Sequence, residues 1–417
     1  MERTVRELDG NSREVLISLT NAELQPHFDQ AYQRAQATIE LKGFRKGKVP
    51  LAMIKKQFGR SIEAESLETI ADDEFRAFVR DTKANVIGSP ALTDIQKSAD
   101  GVSFTVRYEV LPEFELEGYR GLVIDRPVRE VADSDVEEEI ARICLQNATF
   151  EPAEQITDTM FIATITFTEL DRELGMPIIG KEPREDRVFL DDDDVDMHLR
   201  NSLTNTKIGD TFTYVAETQN ENDVPPSFLV TVTDINQVVP AEFTNELAEK
   251  ITGGRFTTTE ELRADIERQI QDYFTRSIRQ SVEEQIVSKL IERHSFEPPH
   301  SLVHQVVHSL FDDFRERNKN SPGIEKVTAH DLEDQLKPHA ERIVRWELIR
   351  DRIIDAEGLV VEDADLEPMA AQYNVTVDQF RMVLNANRQA ERQILANKAM
   401  DTLIDYAIFN DVSVPVE

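Results

Sequence analysis

The chain has 417 residues, with 80 Asp and Glu against 47 Lys and Arg and a formal net charge of −33. This length predicts two to four domains, each able to bury a core. Such acidity disfavours nucleic acid or anionic membranes as partners of the general surface. The sequence has no apolar run long enough for a membrane span and starts without the apolar stretch of a secretory signal. We therefore expect a cytoplasmic protein with no membrane partner.

The strong negative charge has two interpretations that the sequence leaves open. A high net charge keeps a protein with exposed apolar surface soluble and monomeric. Alternatively, abundant Asp and an excess of Arg over Lys fit a protein from a salt-rich cytoplasm. The single cysteine, Cys144, excludes an intrachain disulfide and a multi-thiolate metal site. We expect it to be a small buried side chain.

The first predicted elements are a β-hairpin and a helix. Residues 4–20 predict a hairpin that turns at Asp9-Gly10, because apolar residues alternate along its second half. Thr20 or Asn21 can cap the helix that follows.

Residues 43–50 read Gly-Phe-Arg-Lys-Gly-Lys-Val-Pro, which is poor material for a helix or a strand. Gly43 and Gly47 admit backbone angles closed to other residues, and Pro50 starts the next helix. Phe44 is expected at the tip of a short loop among cations. The basic residues of this region are Lys42, Arg45, Lys46, Lys48, Lys55, Lys56 and Arg60. The combination predicts a loop that docks on a phosphate-rich surface while its aromatic finds a pocket. The alternative is a solvated loop that balances local acidity.

Two helices and a strand complete this first domain. One predicted helix carries Met53 and Phe58, and a second begins near Ile62. An alternating strand over 102–110 should pair back onto the hairpin. These elements make an α+β domain that ends near Pro112.

The next part of the chain is a connection followed by a β-rich region. A short strand over 122–128 and a helix capped by Asp133 or Ser134 lead to residue 149. Residues 150–240 predict a small domain of short strands. The four carboxylates of 191–194 are expected in a solvated turn, since the spacing and glycine of an EF-hand are missing.

From Pro240 onward the pattern predicts helices to the end of the chain, with Ile408 in the last one. One long helix carries an apolar residue at every fourth position from Leu262 to Leu290. This repeat drifts by about 40° per step on a helix of 3.6 residues per turn. The stripe therefore winds around the helix, and different neighbours should cover its two ends.

Within the helical region, His300, His304 and His308 fall on one helix face. Two of them could ligate a metal, but no Cys or Glu of an established zinc motif accompanies them. We expect them to line a solvent-facing or cleft-facing edge, with no metal site. Trp346 is expected to anchor helix packing.

The motif at 43–50 identifies a resemblance to the trigger factor family, whose ribosome-binding loop carries Gly-Phe-Arg-x-Gly-Lys-x-Pro. The matching residues are Gly43, Phe44, Arg45, Lys46, Gly47, Lys48 and Pro50. The resemblance covers nearly the whole chain in domain order and length, and weakens after about residue 150. It implies a multidomain α+β fold with four parts. These are a ribosome-binding domain (1–112), a linker strand and helix that pack with the C-terminal domain (113–149), an FKBP-like prolyl isomerase domain (150–240) and an all-α chaperone domain (241–417).

The FKBP-like part departs from the pattern of its family. Family members carry Ile-Asp-Phe-x-Gly in the first strand, with the Asp in the pocket, whereas 165–169 here reads Ile-Thr-Phe-Thr-Glu. The Val-Ile-Pro-Gly-Phe-Glu element falls at 195–200 and has lost its proline, glycine and aromatic. The aromatic flap is replaced at 220–223 by Asn-Glu-Asn-Asp. We expect only Phe167 and Phe228 to line a pocket, and isomerase activity to be weak or absent.

The resemblance implies a ribosome-associated, ATP-independent chaperone that binds nascent unfolded polypeptides at the tunnel exit and assists folding and export. Its docking partners there would be ribosomal protein and rRNA, and off the ribosome it would form a homodimer. The alternative is an active FKBP-type prolyl isomerase. No nucleophile elbow, Walker loop or dinucleotide fingerprint appears in the sequence, so we expect no cofactor.

Overall fold

The computed structural model describes residues 2–41, 44–171, 174–216, 225–321 and 323–413. They divide into two compact units, one of residues 1–126 and 280–412 and one built on residues 127–279. None of the described helices has the length and apolarity needed to cross a membrane. The multidomain α+β architecture expected from the sequence is confirmed.

The first unit begins with a four-stranded antiparallel sheet and two helices. Its strands, in spatial order, are β1 (Glu2–Glu7), β2 (Ser12–Thr20), β4 (Gly101–Val110) and β3 (Val86–Lys97). The helices are α1 (Asn21–Thr38) and α2 (Leu51–Thr82). The predicted hairpin is confirmed, with Gly10 at φ 59° in its turn. Thr20 caps α1 in a capping box with Glu23, as the sequence indicated.

Two expectations for this domain were wrong or incomplete. The two helices predicted after the basic loop are one continuous helix, α2. Gly59 lies within this helix and is buried, and a Cβ there would lie 3.3 Å from the Tyr32 hydroxyl. Strand β3 was not predicted, since its register shifts twice between Ile87 and Asp94 and its alternation is broken.

The helical part of the first unit packs around several apolar clusters. Its helices are the end of α6 (Thr259–Arg293), α7 (His300–Arg317), α8 (Glu333–Glu357), α9 (Asp363–Gln372), α10 (Val377–Ala386) and α11 (Arg388–Tyr406). One cluster joins α6, α8 and α11 to Leu122 and Ile124, and Trp346 packs against it as expected. A second joins α7 to α8, and a third joins α9, α10 and α11. The strand predicted over 122–128 is present as β5 (Val123–Val128).

The end of the chain corrects the prediction of helix throughout. Helix α11 stops at Tyr406, and Ile408 begins a strand, β11 (Ile408–Ser413), which pairs with β5. The pairing is reinforced by Arg126, whose Nε donates to Asp411 Oδ1 at 2.8 Å. A helical period of apolar residues could not reveal this partner, because the partner lies almost three hundred residues away in the chain.

The Glu357 carboxylate, at the end of α8, accepts hydrogen bonds from side chains that precede β5 and end α11. Glu357 Oε1 accepts hydrogen bonds from the Tyr119 hydroxyl at 2.6 Å and from Arg120 Nη2 at 2.6 Å. The Tyr406 hydroxyl donates to Glu357 Oε2 at 3.0 Å, and the Arg120 guanidinium lies 4.7 Å from the Tyr406 ring centroid. The bonds from Tyr119 and Arg120 hold the pKa of Glu357 below its ordinary value.

The second unit contains a small antiparallel sheet and a helical cluster. Its strands are β6 (Thr149–Pro152), β7 (Phe161–Glu169), β8 (Arg184–Phe189), β9 (Thr211–Val215) and β10 (Ser227–Val239), and its helices are α3 (Asp133–Gln146), α4 (Met197–Leu203), α5 (Asn245–Thr252) and the start of α6. The spatial order is β6-β10-β7-β8, with β9 also pairing with β10. Helix α3 is preceded by Ala132 as N-cap, not by Asp133 or Ser134. The backbone N–H of Ala132 donates to Asp135.

The apolar stripe of α6 is covered by different neighbours along its length, as its spacing predicted. Leu262 and Ile266 pack with α3 and α5, whereas Val282, Ile286 and Leu290 pack with α8 and α11. Different neighbours therefore cover the two ends of this helix.

Candidate functional site

The basic loop projects between α1 and α2. Phe44 is 39% exposed, and Arg45, Lys46 and Lys48 are exposed beside it. The Lys48 backbone N–H donates to Arg45 O at 2.9 Å and closes a tight turn. Gly47 has φ 77° in this turn, a conformation that favours glycine. Of the predicted site residues, Gly43 lies outside the described part of the chain, together with its neighbour Lys42.

A residue that the sequence did not single out anchors the loop. Val49 is only 1% exposed and packs with Tyr32 and Ile54 in a separate apolar cluster. Gln36 Nε2 donates to Val49 O at 2.6 Å, which fixes the backbone as it enters α2. The exposed residues of the loop are thus held by one buried neighbour, and Pro50 follows as the N-cap of α2.

The base of the loop is a partly polar cluster. The Tyr32 hydroxyl donates to Glu63, and Lys55 Nζ lies 4.8 Å from the Tyr32 ring centroid. Burial, reinforced by the hydrogen bond to Glu63, raises the pKa of Tyr32 to about 12. Lys55 also pairs with Asp29 at 2.8 Å, so this cation belongs to the scaffold.

Most of the other cations of the loop region are available to a partner. Lys46 makes a long 3.9 Å contact with Glu40. Arg45, Lys48, Lys56 and Arg60 are exposed and form no ion pair with another described residue. Cations that are not neutralised internally can form charge-assisted bonds with phosphate groups.

The β-rich part of the second unit, residues 150–240, is called the middle domain below and contains a cavity of about 600 Å³ with an aromatic wall. Phe167 and Phe228 both line it, with ring centroids 5.6 Å apart. The expectation that only these two aromatics remain was wrong, because Tyr214 is a third, 6.3 Å from Phe167. Tyr214 lies on β9, whose alternation could have revealed it, since Phe212 and Tyr214 share one face.

The rest of the cavity wall combines charged and apolar side chains. Arg184 pairs with Asp186, and its guanidinium lies 5.7 Å from the Phe167 ring centroid. Lys181 pairs with Glu169 on the same wall. Thr166, which occupies the sequence position of the family's pocket Asp, does not line the cavity.

Two segments, 195–200 and 220–223, have lost the residues that the FKBP family carries there, and only the first lies in the described part of the chain. Val195, Asp196 and Leu199 contribute to the cavity wall, although that element has lost its family residues. Residues 220–223 lie outside the described part of the chain. The charged side chains on this wall oppose the removal of water from a prolyl amide, which a dry, apolar surface would favour.

The histidines of α7 lie on an exposed face. His300, His304 and His308 are all exposed, and the rings of His304 and His308 are 4.5 Å apart. No cluster of three potential metal ligands occurs among the described residues.

Comparison with known proteins assigns the chain to a family. A family model described as "Bacterial trigger factor protein (TF)" matches residues 1–143, and one described as "Bacterial trigger factor protein (TF) C-terminus" matches residues 258–405. The chain belongs to the trigger factor family. Members of this family are ribosome-associated chaperones, and the chain is one of them. The prolyl isomerase alternative is not favoured.

The alignments with similar proteins cover most of this trigger factor and most of each relative. The trigger factor of Chloroherpeton thalassium is 28% identical over 89% of this chain and 86% of its own. The trigger factor of Salinibacter ruber is 27% identical over 97% of this chain and 93% of its own. A solved structure of the trigger factor chaperone aligns with 97% of this chain and 99% of its own, with a TM-score of 0.49 and 18% identity.

Proposed function

We propose that this trigger factor docks at the ribosomal tunnel exit through Phe44, Arg45, Lys46 and Lys48, supported by Gly43, Gly47 and Pro50. It contacts ribosomal protein and rRNA there, and holds nascent or unfolded polypeptides without ATP until they fold or are exported. The observation that carries this proposal is an exposed aromatic beside exposed cations, on a loop fixed by a buried valine.

The distribution of charge supports a docking role for the first domain. Residues 1–112 contain 16 Lys and Arg against 17 Asp and Glu, so this domain is nearly neutral. Residues 113–417 contain 31 Lys and Arg against 63 Asp and Glu and carry almost all the acidity. A phosphate-rich surface would attract the loop and repel the remainder of the chain.

Exposed apolar residues on the last helices support client binding. Tyr373, Met382 and Val383 are exposed on or beside α9 and α10, and the Tyr373 ring stacks near Phe380. Large exposed apolar groups of this kind mark interaction surfaces, and methionine adapts to varied partners.

We assign the parts of the chain accordingly. Residues 1–112 dock on the ribosome, residues 113–149 and 241–417 hold clients, and residues 150–240 form an FKBP-like domain with weak or no isomerase activity. We further propose that the protein acts in the cytoplasm and forms a homodimer away from the ribosome, which sedimentation velocity can test.

Co-sedimentation with ribosomes tests the docking assignment. The variant Phe44→Ala/Arg45→Ala/Lys46→Ala should stay in the supernatant while its circular dichroism spectrum is unchanged, because exposed loop residues carry little folding energy. Arg76→Ala/Lys97→Ala removes two exposed cations from the same domain and serves as the charge-matched control. Undiminished pelleting of the triple variant, or equal loss in the control, would contradict docking through this loop.

A further inference from the structure

Three histidines lie at every fourth position along one face of α7. His300, His304 and His308 are all exposed, and none of them forms a hydrogen bond or an ion pair with another described residue. The rings of His304 and His308 contact each other, with centroids 4.5 Å apart and planes inclined by 59°. The residues proposed for docking and for client binding include none of these histidines, so the pair needs an explanation of its own.

The helix that carries the pair is held in place by its opposite face. Val303, Val307 and Phe311 are buried, and the first two pack with Ala340 and Val344 of α8. Because these buried residues alternate with the histidines along α7, the backbone that carries both rings is fixed. Side chains four residues apart on such a helix are neighbours and can reach the same ligand.

The spacing of the two rings matches that of two imidazoles bound to one metal ion at adjacent positions. A metal ion about 2.1 Å from the binding nitrogen lies roughly 3.2 Å from the centroid of each ring. Ligands at about 90° then place the two centroids roughly 4.5 Å apart, whereas a tetrahedral angle requires roughly 5.2 Å. The 4.5 Å between His304 and His308 therefore fits the right-angled geometry that Cu²⁺ and Ni²⁺ prefer.

The pair formed by His300 and His304 is the poorer metal site. Both residues line a cavity of about 360 Å³ together with Arg107 and Glu109. The Ser301 backbone N–H donates to Glu109 Oε2 at 2.8 Å, so this carboxylate is already engaged. The Arg107 guanidinium remains, and it repels a bound cation.

The pair formed by His304 and His308 has more favourable surroundings. Asp312 occupies the next position of the same face and is exposed. Its carboxylate lies 3.4 Å from the Arg315 guanidinium, its ion-pair partner among the described residues. The net charge of −33 also attracts cations to the surface of the chain. Charge and ring spacing therefore favour the same two histidines.

We propose that His304 and His308 form a two-nitrogen site for a divalent transition-metal ion, with Cu²⁺ and Ni²⁺ preferred and water in the remaining positions. The sequence predicted no metal site here, because the motifs of zinc proteins, which supply three or four ligands, are absent. A chelate of two histidines on one helix needs no such motif, since the second nitrogen binds intramolecularly once the first has bound. The inference does not depend on the proposed chaperone function.

The test is a calorimetric titration of the full chain with Ni²⁺ in about 0.5 M KCl, where salt weakens binding to scattered surface carboxylates. The parent should bind one ion at this site. His304→Asn/His308→Asn should weaken Ni²⁺ binding by about tenfold or more, and each single variant should lose nearly as much, because either change breaks the chelate. His300→Asn should bind like the parent. Circular dichroism should be unchanged in all variants, since the three side chains are exposed.

The matched control is His330→Asn/His339→Asn, which removes two exposed histidines elsewhere in the helical part of the chain. Parental affinity in the control, together with the loss at positions 304 and 308, supports the inference. A variant lacking both His304 and His308 that binds Ni²⁺ as tightly as the parent overturns it, as does an equal loss in the control. A loss in His300→Asn with none in His308→Asn overturns the assignment to this pair.

Bound Cu²⁺ gives a second readout that identifies the ligands. Electron paramagnetic resonance of the parent with one equivalent of Cu²⁺ should show hyperfine coupling to two imidazole nitrogens, and that of His308→Asn coupling to one. Acid should release the ion, because protons compete for the imidazole nitrogens. A parental spectrum with oxygen ligands alone would overturn the inference.

Discussion

The buried anchor of the basic loop gives a prediction whose size follows from the structure. Val49→Ala removes two methyl groups from a site that is 1% exposed and enclosed by Tyr32 and Ile54. At about 0.8 kcal/mol for each group, plus a small cavity term, the loss is about 2 kcal/mol. This corresponds to roughly a 30-fold increase in local opening.

Hydrogen exchange read by mass spectrometry measures this opening directly. Peptides covering 28–41 and 49–62 should lose about 30-fold in protection, whereas peptides of the strands β2 and β4 should change less. Phe44→Ala is the contrasting variant. Its side chain is already partly solvated, so protection should stay at the parental level while ribosome affinity falls. The 39% of Phe44 that is exposed leaves about 80 Å² for a ribosomal pocket to cover, worth about 2 kcal/mol. Unchanged exchange in Val49→Ala would refute the anchoring of the loop.

Four further predictions concern the rest of the chain. Deleting 150–240 should preserve suppression of aggregation, because Thr149 pairs with Val239 and the two ends of the deleted segment therefore already lie side by side. In the full chain, isomerisation of an Ala-Leu-Pro-Phe-type peptide should be near the uncatalysed rate. The melting temperature should rise from about 0.1 M to 2 M KCl, because the Debye length falls from about 10 Å at 0.1 M to about 3 Å at 1 M and screens self-repulsion; a flat or falling curve would contradict the salt-adapted interpretation. Because the folded pKa of Glu357 is lowered from 4.5, its stabilisation is complete above that pH and is lost as the pH falls through the folded value. Glu357→Gln should therefore lower stability at neutral pH and flatten the acid limb of unfolding, followed by the fluorescence of Trp346.

The sequence predicted those elements whose causes are local. The hairpin at Asp9-Gly10 and the cap at Thr20 depend on residues within a few positions, and both are present. The stripe of α6 likewise follows from its spacing alone. Motif chemistry located the basic loop, although the buried Val49 occupies a position that the motif leaves variable.

The remaining features depend on contacts between distant residues. The continuity of α2 through Gly59 is accompanied by a close approach of the Tyr32 hydroxyl, which lies 3.3 Å from where a Cβ would stand. The strand that starts at Ile408 needs β5 as its partner. Tyr214 reaches the cavity only because β9 pairs with β10. Pairing of this kind leaves little trace in a local pattern.

The docking of the loop on the ribosome is tested most directly by a photo-cross-linking amino acid at position 44. Irradiation with purified ribosomes should yield an adduct between the full chain and a ribosomal component. The same group at position 97, an exposed position of the same domain, should yield far less. Adduct formation at 44 that salt weakens is the result this account predicts. Absence of any ribosomal adduct at 44, or equal yield at 97, would contradict it.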